Sequence, residues 1–256
     1  MPSLAAWYAS AMTVEQCGRK LRFHVPDLRA GLVALGPAET HHALHVLRVS
    51  AGESVELFDG AGGVAQGVIA SASKREVSAD VEKVMHHDRP KPIIHLAFAV
   101  PKGSRLDWLL EKATELGAAS LRPVIFERSV AGGDELSENK RHRWLGHCVS
   151  AAKQSGLDYL PAIIEPMSLR DALPAAGGAF GLFGDLGPDT LRLSEALSAW
   201  AGREIWIVVG PEGGLTQTET AALREALFTP VRLGQTTLRI ETAALAMLSA
   251  TVAIVA

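Results

Sequence analysis

Two glycine-containing turns near the C-terminal end constrain the fold of this chain more than any other feature. The first lies in "IVVGPEGGLTQTE", residues 207–219, where an apolar run leads through Gly210–Gly214 into the start of a helix. The second lies in "VRLGQTTLRIETAALAML", residues 231–248, and repeats the order strand, turn, helix. The carboxyl ends of neighbouring parallel strands border a common crevice. The two turns are therefore predicted to hold one ligand between them, with Gly181 to Asp185 as a candidate third loop.

Apolar strands and helices alternate through the second half of the chain. This order is typical of an α/β fold with a mostly parallel sheet covered by helices. Ser104 is predicted to cap one helix, and Gly117 is predicted to end it. The predicted strands are 95–100, 121–126 and the stretches "GAFGLFG", "EIWIVVG" and "PVRLG"; the predicted helices are 104–116, 137–154, 216–227 and 241–255.

Short strands and glycine turns fill the first half, which is predicted to be a small β-barrel. Pro90 and Pro92 stiffen the connection that follows and mark a domain boundary. The chain is thus predicted to consist of a loose N-terminal extension (1–20), a β-barrel domain (21–88) and an α/β domain (93–256). The predicted barrel strands are 21–25, 54–58, 64–69 and 77–84, with one short helix in "PAETHHALHVLRV".

The composition excludes several classes of protein. A net charge of −3 does not indicate a nucleic-acid binder, so any RNA binding would depend on local basic patches. The cysteines, Cys17 and Cys148, have no CxxC spacing, which indicates a reduced cytoplasmic protein without a disulfide framework. Cys148 falls inside a predicted helix and is expected to be a buried thiol. The chain start lacks the features of a signal peptide, and the apolar run 243–256 is too short to cross a membrane.

The first turn favours a ligand that carries a positive centre. "GPEGG" departs from GxGxxG, and Glu212 would place a negative charge where a pyrophosphate binds. No GxxxxGK[ST] motif of a P-loop ATPase occurs. His41 and His45 have the i, i+4 spacing that two zinc ligands could use, but a third ligand and a helix-borne glutamate are missing. No metal site is predicted.

Several motifs, in order along most of the chain, resemble the bacterial 16S ribosomal RNA (uracil-N3)-methyltransferases, a family of the SPOUT methyltransferase superfamily. "RFHVPD" and "HHALHVLRVSAGESVELFDGAGG" are similar to its PUA-like β-barrel. "PKGSRLDWLLEKATELGAASLRPVIFERSV", "AAKQSGLDYLPAI" and the two turns are similar to its catalytic domain. The resemblance implies an α/β fold with a SPOUT-type parallel sheet and a C-terminal trefoil knot. It also implies S-adenosylmethionine as cofactor, 16S ribosomal RNA or the small ribosomal subunit as partner, and a homodimer.

The resemblance, carried over position by position, also assigns residues to roles. Arg239, Glu241 and Arg22 are the predicted catalytic residues. The predicted RNA contacts are Lys20, Arg22, Arg48, Lys102, Arg128 and Gln154. The predicted cofactor contacts are Phe183, Gly184, Gly210, Pro211, Glu212, Gly213, Gly214, Leu233, Gly234, Thr237, Leu238, Thr242 and Ala243.

The chemistry of uracil explains the catalytic assignments. N3 lies on the Watson–Crick edge, so the target base must be unpaired or flipped out. Loss of the N3 proton leaves an anion spread over O2 and O4, which a nearby arginine stabilises. Arg239 is the best candidate for this arginine, with Arg22 as a helper, and Glu241 or water is the candidate base.

Two departures from the family pattern leave alternatives open. Thr236 and Leu157 stand where the family tends to have arginine. A SPOUT enzyme that methylates another base or a ribose 2′-oxygen is one alternative. A non-catalytic RNA-binding factor is the other.

Overall fold

The computed structural model describes residues 21–130 and 136–255. The predicted extension over 1–20, including Lys20, lies outside the described residues. The chain forms two compact units, of which the first contains the described residues up to Asp59 together with Gly63–His86. The second contains Gly60–Gly62 and the described residues from His87 onward.

The first unit is a six-stranded sheet with one short helical segment. Its strand order is β1-β3-β4-β5-β2, with β6 paired to β4, and only the β1–β3 pairing is parallel. All four predicted strands are present. The structure also has two strands, β2 and β6, that the sequence did not predict. The elements are β1 (Arg22–His24), β2 (Gly31–Ala34), α1 (Pro37–His41, continued by a π-helical turn over His42–Leu47), β3 (Ser54–Phe58), β4 (Gly63–Ala72), β5 (Val77–Val81) and β6 (Met85–His86).

A small apolar core holds this unit together. Phe23, Leu57 and Ile69, from three different strands, are among its fully buried side chains. The short helical segment, which the sequence predicted, packs Ala43 against them. It starts at Pro37, because proline tolerates the first helical turn, where its missing N–H costs no hydrogen bond.

The second unit is an eight-stranded sheet flanked by helices. Its strand order is β10-β8-β7-β13-β11-β14-β12, with β9 paired to β8, and every pairing is parallel. The predicted parallel α/β arrangement is therefore confirmed. The elements are β7 (Ile94–Ala99), α2 (Ser104–Glu115), β8 (Ser120–Ile125), α3 (Glu138–Ser155), β9 (Ala162–Ile163), β10 (Met167–Ser168), α4 (Leu169–Ala172), β11 (Phe180–Gly184), β12 (Leu191–Arg192), α5 (Leu193–Leu197), β13 (Ile205–Val209), α6 (Gln217–Glu225), β14 (Thr229–Arg232) and α7 (Ile240–Val255).

The central strand β13 shows why the apolar runs predicted strands correctly. All five of its residues are buried, because helices cover both faces of a parallel sheet. Ser137 caps α3 by accepting a hydrogen bond from the amide of Lys140. The predicted cap at Ser104 was wrong: the N-cap of α2 is Gly103, whose φ of 64° suits glycine, and Ser104 is already helical.

Within the described residues, none of the helices is both long and apolar enough to cross a membrane. The trefoil knot stays a prediction.

Candidate cofactor site

Three loops at the carboxyl ends of β11, β13 and β14 surround a cavity of about 350 Å³. The sequence predicted that the turns after β13 and β14 would face each other across neighbouring strands. The sheet order corrects this detail, because β11 lies between those two strands. The loop after β11 therefore occupies the middle of the site, and α7 completes the wall with Ile240, Ala243 and Met247.

Most of the predicted cofactor residues lie on the wall of this cavity. Phe183 and Thr242 are not among the lining residues, and Phe183 is fully buried in the core. The lining includes eleven of the predicted positions: Gly184, Gly210, Pro211, Glu212, Gly213, Gly214, Leu233, Gly234, Thr237, Leu238 and Ala243. The contacts of each residue with a cofactor stay a prediction.

Other lining residues carried no prediction as cofactor contacts. Leu186 directly follows the candidate third loop, Gly181 to Asp185, so the rule that ligands bind at strand ends could have included it. Asp185 itself lies on the cavity wall, as expected for that loop. Met247 lies well inside α7 and reaches the cavity only through packing, for which the sequence has no signal.

The glycines of the first turn let the backbone form the cavity wall. A Cβ atom on Gly210 would lie 2.8 Å from Cδ2 of Leu215, which is closer than packed carbon atoms approach. Gly214 has a φ of 71°, a left-handed conformation, and its N–H donates to the carbonyl of Pro211 at 2.8 Å. The turn can therefore present peptide groups to a ligand, beside the side chain of Glu212.

The loop after β8 fixes this turn from outside the cavity. Arg128 Nη1 donates to the carbonyl oxygen of Gly213 at 2.8 Å. The carboxylate of Glu219 accepts from the amide of Glu127 at 2.8 Å and, through its other oxygen, from the amide of Thr216 at 2.8 Å. The same oxygen also accepts from the hydroxyl of Thr216 at 3.2 Å, so the buried Glu219 ties the start of α6 to the loop after β8.

The chemistry of the lining fits S-adenosylmethionine. The volume lies within the range of small-molecule sites, and Val209, Ile240 and Met247 supply an apolar wall for a ring. Peptide groups of the turns can accept and donate hydrogen bonds to polar ligand atoms. The lining contains two acidic residues, Asp185 and Glu212, and one basic residue, Arg232, and this acidic excess favours a cationic ligand such as a sulfonium.

A second cavity of about 220 Å³ adjoins the first and shares Pro211, Glu212 and Ile240 with it. Arg105, at the start of α2, lies on its wall. Arg105 Nη1 is 3.8 Å from Oε1 of Glu212 and 4.0 Å from Oε1 of Glu241. Sequence reasoning did not single out Arg105, because its two partners lie more than a hundred residues away along the chain.

The predicted catalytic residues lie in three different settings. Glu241 is buried, and its Oε2 atom has no hydrogen-bond partner among the described residues. Arg239 is exposed and lines neither cavity. Arg22 belongs to the first unit, where it is 4% exposed, pairs with Glu56 at 2.8 Å and stacks on Phe58. A contact of Arg22 with RNA would require this pair to open.

The predicted RNA contacts are mostly on the surface. Arg48, Lys102 and Gln154 are exposed. Arg128 is exposed too, but its guanidinium is already bound to the glycine turn. Among residues 21–130 and 136–255, no cluster of histidine, cysteine and acidic side chains could hold a metal ion.

The second unit is thus an α/β domain that binds a small ligand at the carboxyl edge of a parallel sheet. Sequence comparison is more specific: a family model of the RNA methyltransferase domain matches residues 88–252, and one of the RNA methyltransferase PUA domain matches 35–82. The chain belongs to this RNA methyltransferase family, and its first unit is the PUA-like domain.

Proteins called ribosomal RNA small subunit methyltransferase E are similar over most of the chain. The protein from Bacillus subtilis is 33% identical over 220 residues, which cover 83% of this chain and 86% of that protein. The one from Mycobacterium bovis is 33% identical over 234 residues, covering 88% and 87%.

Solved structures agree with these relatives. A putative methyltransferase from Legionella pneumophila, solved with bound S-adenosylmethionine, has a TM-score of 0.83 and 30% identity, covering 92% of this chain and 98% of that one. A ribosomal RNA small subunit methyltransferase E from Neisseria gonorrhoeae, also bound to S-adenosylmethionine, has a TM-score of 0.79 and 31% identity, covering 91% and 96%.

Proposed function

We propose that this protein transfers a methyl group from S-adenosylmethionine to N3 of a uridine in the 16S ribosomal RNA of the small subunit. The observation that carries the proposal is the cavity enclosed by the loops after β11, β13 and β14 in a chain of the RNA methyltransferase family. Such a substrate places the enzyme in the cytoplasm. The homodimer and the trefoil knot implied by the family resemblance belong to the same proposal.

The bound cofactor supplies a methyl carbon made electrophilic by the adjacent sulfonium. The cavity residues hold that carbon in line with the attacking nitrogen, and such positioning accounts for much of the rate of a displacement reaction. The rigid turn at Gly210–Gly214 serves this purpose, because Arg128 and Glu219 fix it from outside. Glu212 places a carboxylate on the cavity wall, where it favours the cationic cofactor over its neutral product.

The acceptor nitrogen must lose its proton before or during transfer. The N3–H bond breaks and the proton passes to a base, the N3–carbon bond forms, and the carbon–sulfur bond breaks to leave S-adenosylhomocysteine. Of the two predicted candidates for the base, water fits better than Glu241, because Glu241 is buried, is not among the residues that line either cavity, and has Oε1 4.0 Å from Arg105 Nη1. Arg239 is exposed beside the start of α7 and can approach an RNA strand.

Calorimetry and a methylation assay test the proposal together. Purified protein is titrated with S-adenosylmethionine and is then incubated with small ribosomal subunits that lack the modification. Nuclease digestion and mass spectrometry identify the modified nucleoside. We expect one cofactor per chain and 3-methyluridine as the product. A 2′-O-methylated nucleoside would instead support the ribose-directed alternative, and cofactor binding without any methylated product would support the non-catalytic one.

Gly234→Trp and Gly146→Trp form a matched pair for the titration. Gly234 lies on the cavity wall, whereas Gly146 is exposed on α3. In the part of the chain that the structure describes, a Cβ atom at either position would have no neighbour within 4 Å. Both variants should fold, but only Gly234→Trp should lose cofactor binding. Light scattering of the same samples measures the expected dimer mass.

A further inference from the structure

The second cavity, of about 220 Å³, has nine lining residues among those the structure describes, and six of them do not line the cofactor cavity. It lies between the end of β7, the start of α2, the loop after β8 and the first glycine turn. Its boundary with the cofactor cavity is formed by Pro211, Glu212 and Ile240, which line both. Molecules bound in the two cavities would therefore both contact these three residues.

The polar groups on the wall of this second cavity are mostly hydrogen-bond donors. Lys102 and Arg105 are cationic and donate only. The hydroxyl oxygen of Ser129 accepts from the amide of Phe126 at 2.9 Å, which leaves its own proton for another acceptor. Glu212 is the one acidic side chain among the described lining residues, and it lies near Arg105.

This pattern of donors matches one nucleobase better than the others. The Watson–Crick edge of uracil presents two carbonyl oxygens on either side of N3, and both become more negative when N3 loses its proton. Cytosine presents an amino donor at the position of one of these oxygens. A wall rich in donors would leave that amino group without an acceptor, which is costly inside a cavity.

We propose that the second cavity receives the flipped-out target uracil, and that Arg105 is the cation that stabilises its anion during transfer. This inference rests on the proposed function. Glu212 and Glu241 act as positioning residues, since both lie within 4.0 Å of Arg105 Nη1. The buried position of Glu241 restricts where the guanidinium can move. A fixed donor aimed at a developing oxyanion is the arrangement that speeds such reactions most.

Arg105→Ala tests the assigned role directly. We expect the ratio kcat/KM for small subunits to fall by about 100-fold, the loss typical of one oxyanion donor. The dissociation constant of S-adenosylmethionine, measured by calorimetry, should change less than about twofold, because Arg105 does not line the cofactor cavity. Arg105→Lys keeps the charge and should restore part of the rate. Arg170→Ala, at an exposed arginine that lines neither cavity, is the matched control and should change neither quantity.

Val130→Trp blocks the cavity without touching the Arg105 cluster. Val130 is 70% exposed at the rim, so a larger side chain there should leave the fold intact. It should raise KM for the subunit with little change in cofactor affinity. Wild-type rates in both Arg105→Ala and Val130→Trp would overturn the cavity assignment while leaving the methyltransferase function in place.

A cross-linking experiment separates the two proposals if no methylation is seen. Small subunits are reconstituted with 16S RNA in which 4-thiouridine replaces uridine, mixed with the protein and irradiated. Cross-linked peptides that contain Lys102–Arg105 or Ser129–Val130 would support a uracil in this cavity even for an inactive protein. Cross-links confined to other peptides would overturn the inference.

Discussion

Arg128 donates a hydrogen bond of 2.8 Å from Nη1 to the carbonyl oxygen of Gly213. The bond joins the loop after β8 to the glycine turn that lines the cofactor cavity. It gives Arg128 a structural task in addition to the RNA contact predicted for it. The side chain also packs beside the turn, since a Cβ atom on Gly213 would lie 3.3 Å from Cβ of Arg128.

Replacing Arg128 with alanine should therefore weaken cofactor binding in the absence of RNA. Loss of one partly exposed hydrogen bond costs about 1 kcal/mol, which corresponds to a rise of about fivefold in the dissociation constant. Calorimetric titration with S-adenosylmethionine measures it. Arg170→Ala, with the same change of charge, should bind as tightly as the wild type. Unchanged cofactor affinity in Arg128→Ala, together with weaker binding to the small subunit, would leave Arg128 with the RNA role alone.

Gly234→Ala should reduce cofactor affinity without reducing stability. A Cβ atom at Gly234 meets no atom of the described residues within 4 Å, so the unfolding free energy should change by less than about 0.5 kcal/mol. The added methyl group would occupy space on the cavity wall and should raise the dissociation constant of S-adenosylmethionine by about tenfold, equal to 1.4 kcal/mol. Thermal unfolding and calorimetry are measured on the same preparation.

Gly210→Ala, unlike Gly234→Ala, should reduce the stability of the protein. Its Cβ atom would lie 2.8 Å from Leu215, so this variant should lose about 1 kcal/mol of stability, as overpacked sites do. Gly146→Ala, in the middle of α3, is the control and should stabilise the helix slightly.

If Gly234→Ala bound the cofactor normally, the loop after β14 would not touch the ligand.

The sequence predicted the elements around the site well, because their signals are local. The buried strand at Ile205–Val209 follows from its apolar run, and the predicted helix over 137–154 agrees with α3 (Glu138–Ser155) to within one residue at each end. The glycine turn follows from its composition. These features depend on residues within a few positions of each other, so periodicity and capping rules apply to them.

The parts of the site that escaped prediction depend on contacts between distant residues. The cluster of Arg105, Glu212 and Glu241 joins three elements that packing alone brings together. The position of β11 between β13 and β14 has the same origin, since strand order in a sheet is a tertiary property. Short elements such as β12 (Leu191–Arg192) also escaped, because two residues carry no periodic signal.

His95 should make the stability of the protein depend on pH. Its ring hydrogen-bonds Ser120 at 2.7 Å and Glu204 at 3.0 Å, and its side chain is 14% exposed. Burial lowers the pKa of His95 below its usual 6.5, although Glu204 opposes this shift. The unfolded chain therefore binds the proton more tightly than the folded chain. Stability from this group is complete above pH 6.5 and is lost as the pH falls from 6.5 through the folded pKa.

Thermal unfolding of His95→Gln at pH 8 and pH 5.5 checks this dependence. The melting temperature of the wild type should fall more steeply on acidification than that of His95→Gln. His142→Gln removes an exposed histidine of α3 and should retain the slope of the wild type. If the melting temperatures of the wild type and His95→Gln fell by the same amount between pH 8 and pH 5.5, His95 would take up its proton equally well in the folded and unfolded chains.

Cys148 should be inert to thiol reagents while the protein is folded. It is fully buried on α3, as its place in a predicted helix indicated, and burial raises the pKa of its thiol to about 11. At pH 8 about one thiol in a thousand is then ionised, and only the thiolate reacts. In a Cys17→Ser variant, iodoacetamide should label Cys148 only after denaturant unfolds the chain. Rapid labelling without denaturant would show that α3 separates from the sheet often enough to expose the thiol.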